Sequence, residues 1–126
     1  MTDKANIRTD IVTFLKLAET LPVAYVRSPS EFSYGHIPGA FNIPLFDDAE
    51  RAEVGTRYKL KGRIDAIVKG LELTGPSMYR KLEQALQIAA GGKLLVHCWR
   101  GGMRSEAMAW LFSLGGIETV LLEGGY

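Results

Sequence analysis

Residues 93–112 read Lys93-Leu-Leu-Val-His-Cys98-Trp-Arg-Gly-Gly-Met-Arg104-Ser-Glu-Ala-Met-Ala-Trp-Leu-Phe112. The apolar run before the cysteine predicts a buried strand over residues 94–97, and the glycines after it predict a tight loop. Beyond the loop, apolar residues recur at a helical spacing. We therefore expect a helix that buries one face against a sheet through Ala107, Met108, Trp110, Leu111 and Phe112.

The single cysteine of the chain, Cys98, stands where this strand meets the loop. The loop amides, the positive end of the following helix and the charges of Arg100 and Arg104 all favour a thiolate. The same amides and charges favour binding of an anion beside the sulfur. A lone cysteine is more often a small buried apolar residue, but these neighbours indicate a nucleophile, with Arg104 as a second catalytic group. The predicted anion-binding or substrate-binding loop contains Trp99, Arg100, Gly101, Gly102, Met103 and Ser105, and Ser105 is also placed to cap the helix.

The composition limits the class of protein. The 126 residues are 47% hydrophobic and 23% charged, with a formal net charge of +1, which is typical of one globular domain spanning 1–126. The chain has no signal-peptide core and no run of about eighteen apolar residues. A single cysteine suits a reducing compartment. We therefore expect a cytoplasmic protein, and two histidines with one cysteine are too few for a metal site.

Strands and helices alternate along the remaining sequence. Asp10 is placed to cap a helix over residues 11–21, and Asp47 begins another helix. Gly75-Pro76 opens a helix whose apolar stripe is Leu82, Ala85, Leu86 and Ala89. Strands are predicted over residues 23–26 and 118–122. Residues 41–45 are predicted to be extended, because a proline biases its predecessor away from helix. This alternation predicts an α/β fold, a parallel sheet flanked by helices on both faces, with Cys98 at the carboxyl end of a strand.

The stretch from Arg57 to Lys69 is basic. Its cations are Arg57, Lys59, Lys61, Arg63 and Lys69, and Asp65 is the single acid between positions 56 and 70. Two interpretations remain open, a solvated helix face and a contact with an RNA backbone.

Four motifs in order resemble a rhodanese domain. They are Val26-Arg27-Ser-Pro-Ser-Glu31-Phe32, the segment Gly35-His36-Ile37-Pro38-Gly39-Ala40-Phe-Asn42-Ile-Pro44, the Cys98 loop and Leu122-Glu123-Gly124-Gly125. The resemblance covers nearly the whole chain. It implies a rhodanese-like fold and a transferase whose cysteine carries sulfur.

A narrower resemblance is to the N-terminal half of the tRNA 2-selenouridine synthases. It rests on the Cys98 loop, on Leu45-Phe-Asp-Asp-Ala-Glu50-Arg51 with Val54-Gly55-Thr-Arg-Tyr58-Lys59, and on the ending Glu123-Gly-Gly-Tyr126. It implies that Cys98 relays selenium or sulfur as a persulfide or selenosulfide, and that the wobble 2-thiouridine of tRNA becomes 2-selenouridine. Selenophosphate is then the expected selenium donor, with no bound cofactor, and tRNA is the expected partner through the basic stretch.

The chain departs from these families in three ways. Tyr25 stands where both families have an aspartate. The P-loop half of the synthases is absent from these residues, so full activity is expected to need that half as a continuation of the same chain or as a separate subunit. Five residues separate Cys98 from Arg104, one more than in common single-domain sulfurtransferases.

The longer loop keeps a rival interpretation open. His97-Cys98-x5-Arg104-Ser105 is also the signature of cysteine-dependent phosphatases and arsenate reductases, in which Asp47 or Asp48 would protonate the leaving group. A general thiosulfate sulfurtransferase is a further alternative. His97 is expected to fix the loop rather than to act as a base, and His36 is expected to be architectural. Trp99 is a candidate for stacking on a base.

Overall fold

The computed structural model of the chain describes residues 7–98 and 103–122. A five-stranded sheet in the order β1-β5-β4-β2-β3 forms its centre, and all four pairings are parallel. The predicted parallel α/β architecture is confirmed. The strands are β1 Ile7–Thr9, β2 Val23–Tyr25, β3 Phe41–Asn42, β4 Lys93–His97 and β5 Glu118–Leu122.

Helices cover both faces of this sheet. They are α1 Ile11–Leu17, α2 Pro29–Tyr34, α3 Asp48–Lys61, α4 Arg63–Thr74, α5 Met78–Ile88 and α6 Met103–Leu114, with a 3₁₀ turn at Gly75–Ser77 before α5. Across residues 7–98 and 103–122, every helix is too short or too polar to cross a membrane.

The side chains of β4 alternate between two apolar cores. Leu94 and Val96 pack on the face that α5 and α6 cover, whereas Leu95 packs with Phe14 of α1 on the opposite face. Successive side chains of a strand point to opposite sides, so both faces of the central strand are buried. This arrangement places the end of β4 in the middle of the carboxyl edge of the sheet.

Two predicted helix starts are confirmed by their caps. The Asp10 carboxylate accepts a hydrogen bond from the Thr13 N–H at 2.8 Å, and the Asp47 carboxylate accepts one from the Glu50 N–H at 2.7 Å. Each cap satisfies an N–H that has no partner within its helix. Helix α1 ends at Leu17, earlier than the predicted position 21, because the next residues form shorter turns.

Three sequence expectations need correction. Trp110 is 57% exposed, because it shares the outer face of α6 with Glu106 and Leu114, one turn away on either side. Leu86 is 43% exposed at the margin of the α5 stripe. The short strand β1 was not predicted, and it forms by pairing with β5 from the far end of the sequence.

A tight turn leads into the edge strand β3. Gly39 has a positive φ of 84°, and the Ala40 N–H donates to the Ile37 carbonyl oxygen at 3.0 Å. A side chain at this φ would be strained, which explains the glycine. The turn brings Phe41–Asn42 alongside β2 at the same edge as Cys98.

Candidate functional site

Cys98 directly follows β4 and is 4% exposed. It belongs to the apolar core that also contains Val96 and Met108, on the α6 side of the sheet. The predicted position at the carboxyl end of a strand is therefore confirmed. In open α/β sheets this edge is where ligand sites form.

The thiol of Cys98 contacts the first turn of α6. Its Sγ lies 3.2 Å from Oγ of Ser105, and the thiol donates to that oxygen. If the sulfur is a thiolate, the serine hydroxyl can instead donate to it. Helix α6 begins at Met103, so its positive end faces the same region and favours negative charge there.

Arg104 is held by a carboxylate from another part of the chain. Its Nη1 donates to Oε1 of Glu31 at 2.8 Å, and Nη2 lies 3.5 Å from Oε2. Glu31 also forms an ion pair with Arg27, and Arg51 Nε lies 3.9 Å from Oε1. We call Glu31 with these three arginines the Glu31 cluster. It fixes the start of α6 relative to α2, whereas an anion-binding role for Arg104 stays a prediction.

Glu31 is ionised in this setting. Partial burial acts to raise the pKa of its carboxyl, but hydrogen bonds from Arg104 and Ser28 and the charge of Arg104 outweigh it and lower the pKa to about 2. The Ser28 N–H and hydroxyl donate to Oε1 at 3.1 and 2.8 Å, which completes a capping box on α2. The capping-box pattern Ser28-x-x-Glu31 was not among the predicted helix starts, and the contact of Glu31 with Arg104 has no local sequence signal.

His97 lies on the other face of the sheet from Cys98. Its ring packs 4.9 Å from Tyr25 and 6.0 Å from Phe14, measured between ring centroids. Burial and the charge of Arg27 lower the pKa of His97 to about 4, so the ring is neutral at physiological pH. These contacts fit the predicted structural role rather than a base for Cys98.

Tyr25 also belongs to that opposite face, where it pairs with His97 in register. It is fully buried, and its hydroxyl accepts a hydrogen bond from Arg27 Nη1 at 3.1 Å. The aromatic side chain thus supplies a polar partner for Arg27 from the position where the families have an aspartate. Tyr25 thus lies on the face of the sheet opposite Cys98.

The Gly35-to-Pro44 motif ties the neighbouring strands together. The Asn42 side-chain N–H groups donate to the carbonyl oxygens of Tyr25 and Arg27 at 3.0 and 2.9 Å. His36 stacks on Phe32 at 3.6 Å, and its Nδ1 lies 2.6 Å from the Phe32 carbonyl oxygen. These contacts are architectural, as expected for His36.

The basic stretch carries less free charge than its sequence indicates. Arg57 pairs with Asp65 at 3.0 Å, and Lys69 pairs with Glu53 and Glu72 at 3.2 and 3.1 Å. Two of these acids lie outside the window over which the sequence showed a single acid. The α3–α4 ion pairs therefore neutralise part of the proposed RNA contact.

The acids proposed for a phosphatase are engaged as helix caps and loop anchors. Asp47 caps α3, and the Asp48 carboxylate accepts from the Ser30 N–H at 2.9 Å, which holds the pKa of Asp48 below its ordinary value. A carboxyl that is stabilised as an anion is a poor general acid.

Several predicted residues lie outside the described ranges. These are Trp99, Arg100, Gly101 and Gly102 of the loop, and the closing Glu123-to-Tyr126 motif. Of the remaining loop residues, Met103 is 45% exposed and Ser105 is buried. Within the part of the chain that the structure describes, His, Cys, Asp and Glu form no group that could hold a metal.

Comparison with known proteins adds a second line of evidence. The Rhodanese-like domain family matches residues 15–126. The tRNA 2-selenouridine synthase of Nitrosomonas europaea is 41% identical over 124 residues, which cover 96% of this chain and 32% of that protein. The chain thus spans about a third of the length of the curated relatives it matches.

Solved structures agree with this match. The crystal structure of an N-terminal domain from Clostridium difficile 630 is 36% identical, with a TM-score of 0.85 over 97% of this chain and 93% of that one. A Saccharomyces cerevisiae homologue of single-domain rhodanese and the Cdc25 phosphatase catalytic domain has 15% identity and a TM-score of 0.57, covering 99% of this chain and 82% of that one. The second likeness concerns the fold alone.

Proposed function

We propose that this chain, which belongs to the rhodanese-like domain family, is the chalcogen-transfer domain of a tRNA-modifying enzyme. Cys98 carries selenium, or sulfur, for conversion of wobble 2-thiouridine to 2-selenouridine. The observation that carries the proposal is the placement of the Cys98 thiol at the carboxyl end of β4, 3.2 Å from the Ser105 hydroxyl and at the positive end of α6.

Loading of Cys98 needs a donor whose chalcogen can be displaced. With thiosulfate, the thiolate attacks the outer sulfur, a new S–S bond forms at Cys98, and sulfite leaves with the electron pair of the broken bond. The same displacement on selenophosphate forms an S–Se bond and releases phosphite. The Ser105 hydroxyl and the positive end of α6 stabilise the resulting anion.

Delivery to the nucleoside is an exchange. The terminal selenium adds to C2 of the 2-thiouridine, and the sulfur leaves that carbon and takes over the bond to Cys98. The products are the 2-selenouridine and a Cys98 persulfide, so the exchange requires no outside oxidant or reductant. Selenophosphate is therefore proposed as the donor and tRNA as the acceptor.

The whole reaction is proposed to involve more than this domain. The relatives named tRNA 2-selenouridine synthase are about three times as long as the matched segment. We place the P-loop half in a continuation of the chain or in a separate subunit. A cytoplasmic location, where tRNA is modified under reducing conditions, belongs to the same proposal.

The two acids proposed for the phosphatase alternative, Asp47 and Asp48, are both engaged as described, which counts against that alternative. The general thiosulfate sulfurtransferase differs from the proposal only in its donor and acceptor. Intact mass spectrometry of the wild type and Cys98→Ser, after incubation with selenophosphate, thiosulfate or an aryl phosphate, separates the three.

We expect the wild type, but not Cys98→Ser, to gain the mass of one selenium or sulfur atom and to release no phosphate from the aryl ester. Release of that phosphate without a chalcogen adduct on Cys98 would contradict the proposal and favour the phosphatase. An adduct from thiosulfate alone would favour the general sulfurtransferase. Near-UV circular dichroism controls for the fold of Cys98→Ser.

A further inference from the structure

A cleft of about 550 Å³ opens between α3 and the start of α6, beside Arg104. Its charged members among the residues that the structure describes are Arg51, Lys59 and Arg104. All three are cations, so the described part of the lining contains no carboxylate. Arg104 closes the end of the cleft nearest the Cys98 site, because it lies next to Ser105.

The helix side of this cleft is one continuous face of α3. Arg51, Gly55 and Lys59 follow one another at intervals of one helical turn. A Cβ at Gly55 would stand 2.8 Å from Nη1 of Arg51, so the guanidinium lies directly against the helix at that position. The glycine therefore leaves room for a cation within the cleft.

The cleft retains its charge, unlike the neighbouring ion pairs. Among the described residues, Lys59 has no acid within ion-pair distance, and the nearest carboxylate to Arg51 is Glu31, at 3.9 Å. Glu31 is already shared with Arg27 and Arg104. One carboxylate cannot neutralise three arginines, so the field in the cleft is positive.

The spacing of the cations indicates the shape of the ligand. Arg51 and Lys59 are eight positions apart, about 12 Å along the helix axis, and the Arg51 guanidinium lies at the level of Gly55, about 6 Å along the axis before Lys59. A single phosphate requires cations that converge on one point, whereas cations spread along a groove suit a chain of phosphates.

An aromatic side chain completes the cleft. Tyr58 lines it and is 58% exposed, which leaves much of its ring in contact with solvent. A positively charged groove with an exposed aromatic side chain is the arrangement that binds single-stranded nucleic acid, because bases stack on the ring while cations contact the backbone.

We propose that this cleft binds a single-stranded segment of tRNA, with Arg51, Lys59 and Arg104 on successive phosphates and Tyr58 stacked on a base. The inference rests on the proposed function and adds the path of the RNA toward Cys98. It moves the RNA contact from the whole stretch 57–69 to the face of α3 that meets Arg104.

The test measures binding of an unmodified tRNA transcript by fluorescence anisotropy at several salt concentrations. Lys59→Ala is compared with Lys61→Ala, since the two lysines leave the same helix on different sides. We expect Lys59→Ala to weaken binding by about three- to tenfold and to reduce the salt slope by about one, whereas Lys61→Ala changes little.

Tyr58→Ala is compared with Tyr79→Ala in the same assay. Both tyrosines are 58% exposed, but Tyr79 lies on α5 and outside the cleft. We expect Tyr58→Ala to weaken binding by about fivefold or more, Tyr79→Ala to have no effect, and Tyr58→Phe to retain binding because its ring still stacks.

Equal losses in each matched pair, or no binding of the transcript at low salt, would overturn the proposal. So would a Lys59→Ala variant that loses affinity for inorganic phosphate or selenophosphate but not for tRNA, since the cleft would then hold a small anion. Chalcogen loading of Cys98, followed by mass in the same variants, should stay intact. Normal binding without loading would count against the proposed function instead.

Discussion

Two sets of paired charges flank α3, and they differ in their access to water. In the Glu31 cluster the Glu31 side chain is 17% exposed and lies between Arg27 and Arg104. In the α3–α4 ion pairs the Arg57 and Asp65 side chains are 42% and 36% exposed. The cluster joins parts of the chain that are far apart in sequence, whereas the other pairs lie between the consecutive helices α3 and α4 or, for Lys69 and Glu72, within α4.

This difference separates charges that fix geometry from charges that only neutralise one another. Exposed ion pairs contribute little to the free energy of unfolding, because water screens the charges and the side chains lose conformational freedom when they pair. Stability falls much more when a partly buried carboxylate loses its partners, or when arginines lose the carboxylate that they share. The Glu31 cluster therefore fixes the position of Arg104 beside the site, whereas the ion pairs between α3 and α4 add little to stability.

The largest expected effect comes from removing the charge at the centre of the cluster. Glu31→Gln should lower the free energy of unfolding by roughly 2–3 kcal/mol, because three arginines then face one another without a counter-charge. Urea unfolding measures this change. Glu72→Gln is the control, since its side chain is 66% exposed, and an equal loss there would show that burial does not distinguish the two sets.

Acid should weaken the wild type through the same carboxyl. Its pKa is about 2 in the folded chain against an ordinary 4.5, so the unfolded chain takes up a proton at higher pH than the folded one. The stabilisation is complete above the ordinary pKa and is lost as the pH falls toward 2. Allowing for screening, we expect a loss of about 2 kcal/mol.

Unfolding free energies measured at a series of pH values check this expectation against Glu31→Gln. The variant lacks the titrating group and should show a flatter profile over the acidic range. Parallel profiles for the two proteins would mean that Glu31 is not the group responsible.

A pair of tyrosines extends the comparison to single hydrogen bonds. Tyr25 and Tyr79 each accept a hydrogen bond from an arginine, at 3.1 Å from Arg27 and 2.9 Å from Arg80. Tyr25 is buried and Tyr79 is exposed. Tyr25→Phe should lower the free energy of unfolding by about 1 kcal/mol, whereas Tyr79→Phe should leave it nearly unchanged. Thermal unfolding of both variants measures the difference.

The smallest expected effect is in the α3–α4 pairs. Asp65→Asn should change the free energy of unfolding by less than about 0.5 kcal/mol, since Arg57 remains solvated without its partner. It should also leave the affinity for tRNA within about twofold, because Arg57 lies outside the cleft. A large stability loss would place this pair in the same class as the Glu31 cluster.

The sequence predicted what local patterns encode. The strand that ends before Cys98, the strand Glu118–Leu122 and the helices capped by Asp10 and Asp47 were all visible in residue spacing and cap chemistry. The alternation of strands and helices predicted the parallel α/β class with Cys98 at the carboxyl end of a strand, and the resemblance to known families narrowed the fold to rhodanese-like. These features depend on neighbours within a few positions or on motifs carried by one segment.

The remainder depends on contacts between distant residues. Glu31 and Arg104 are 73 positions apart, so no local pattern shows that the carboxylate holds the arginine. Glu53 and Glu72 lie beyond the basic window that they neutralise. The cleft is likewise formed by α3 and the start of α6. Only the folded chain shows that Lys69 pairs with two acids while no acid of residues 7–98 and 103–122 pairs with Lys59.

The pairing of β1 with β5 has a consequence for how the domain forms during synthesis. Ile7 lies opposite Val120, so this edge of the sheet is completed only after almost all described residues have left the ribosome. Contacts between residues so far apart in sequence slow folding and prolong exposure of strand edges. Until β5 emerges, the side of β4 that pairs with it remains an open edge next to Cys98, and we expect this interval to be when the nascent domain is most prone to aggregate.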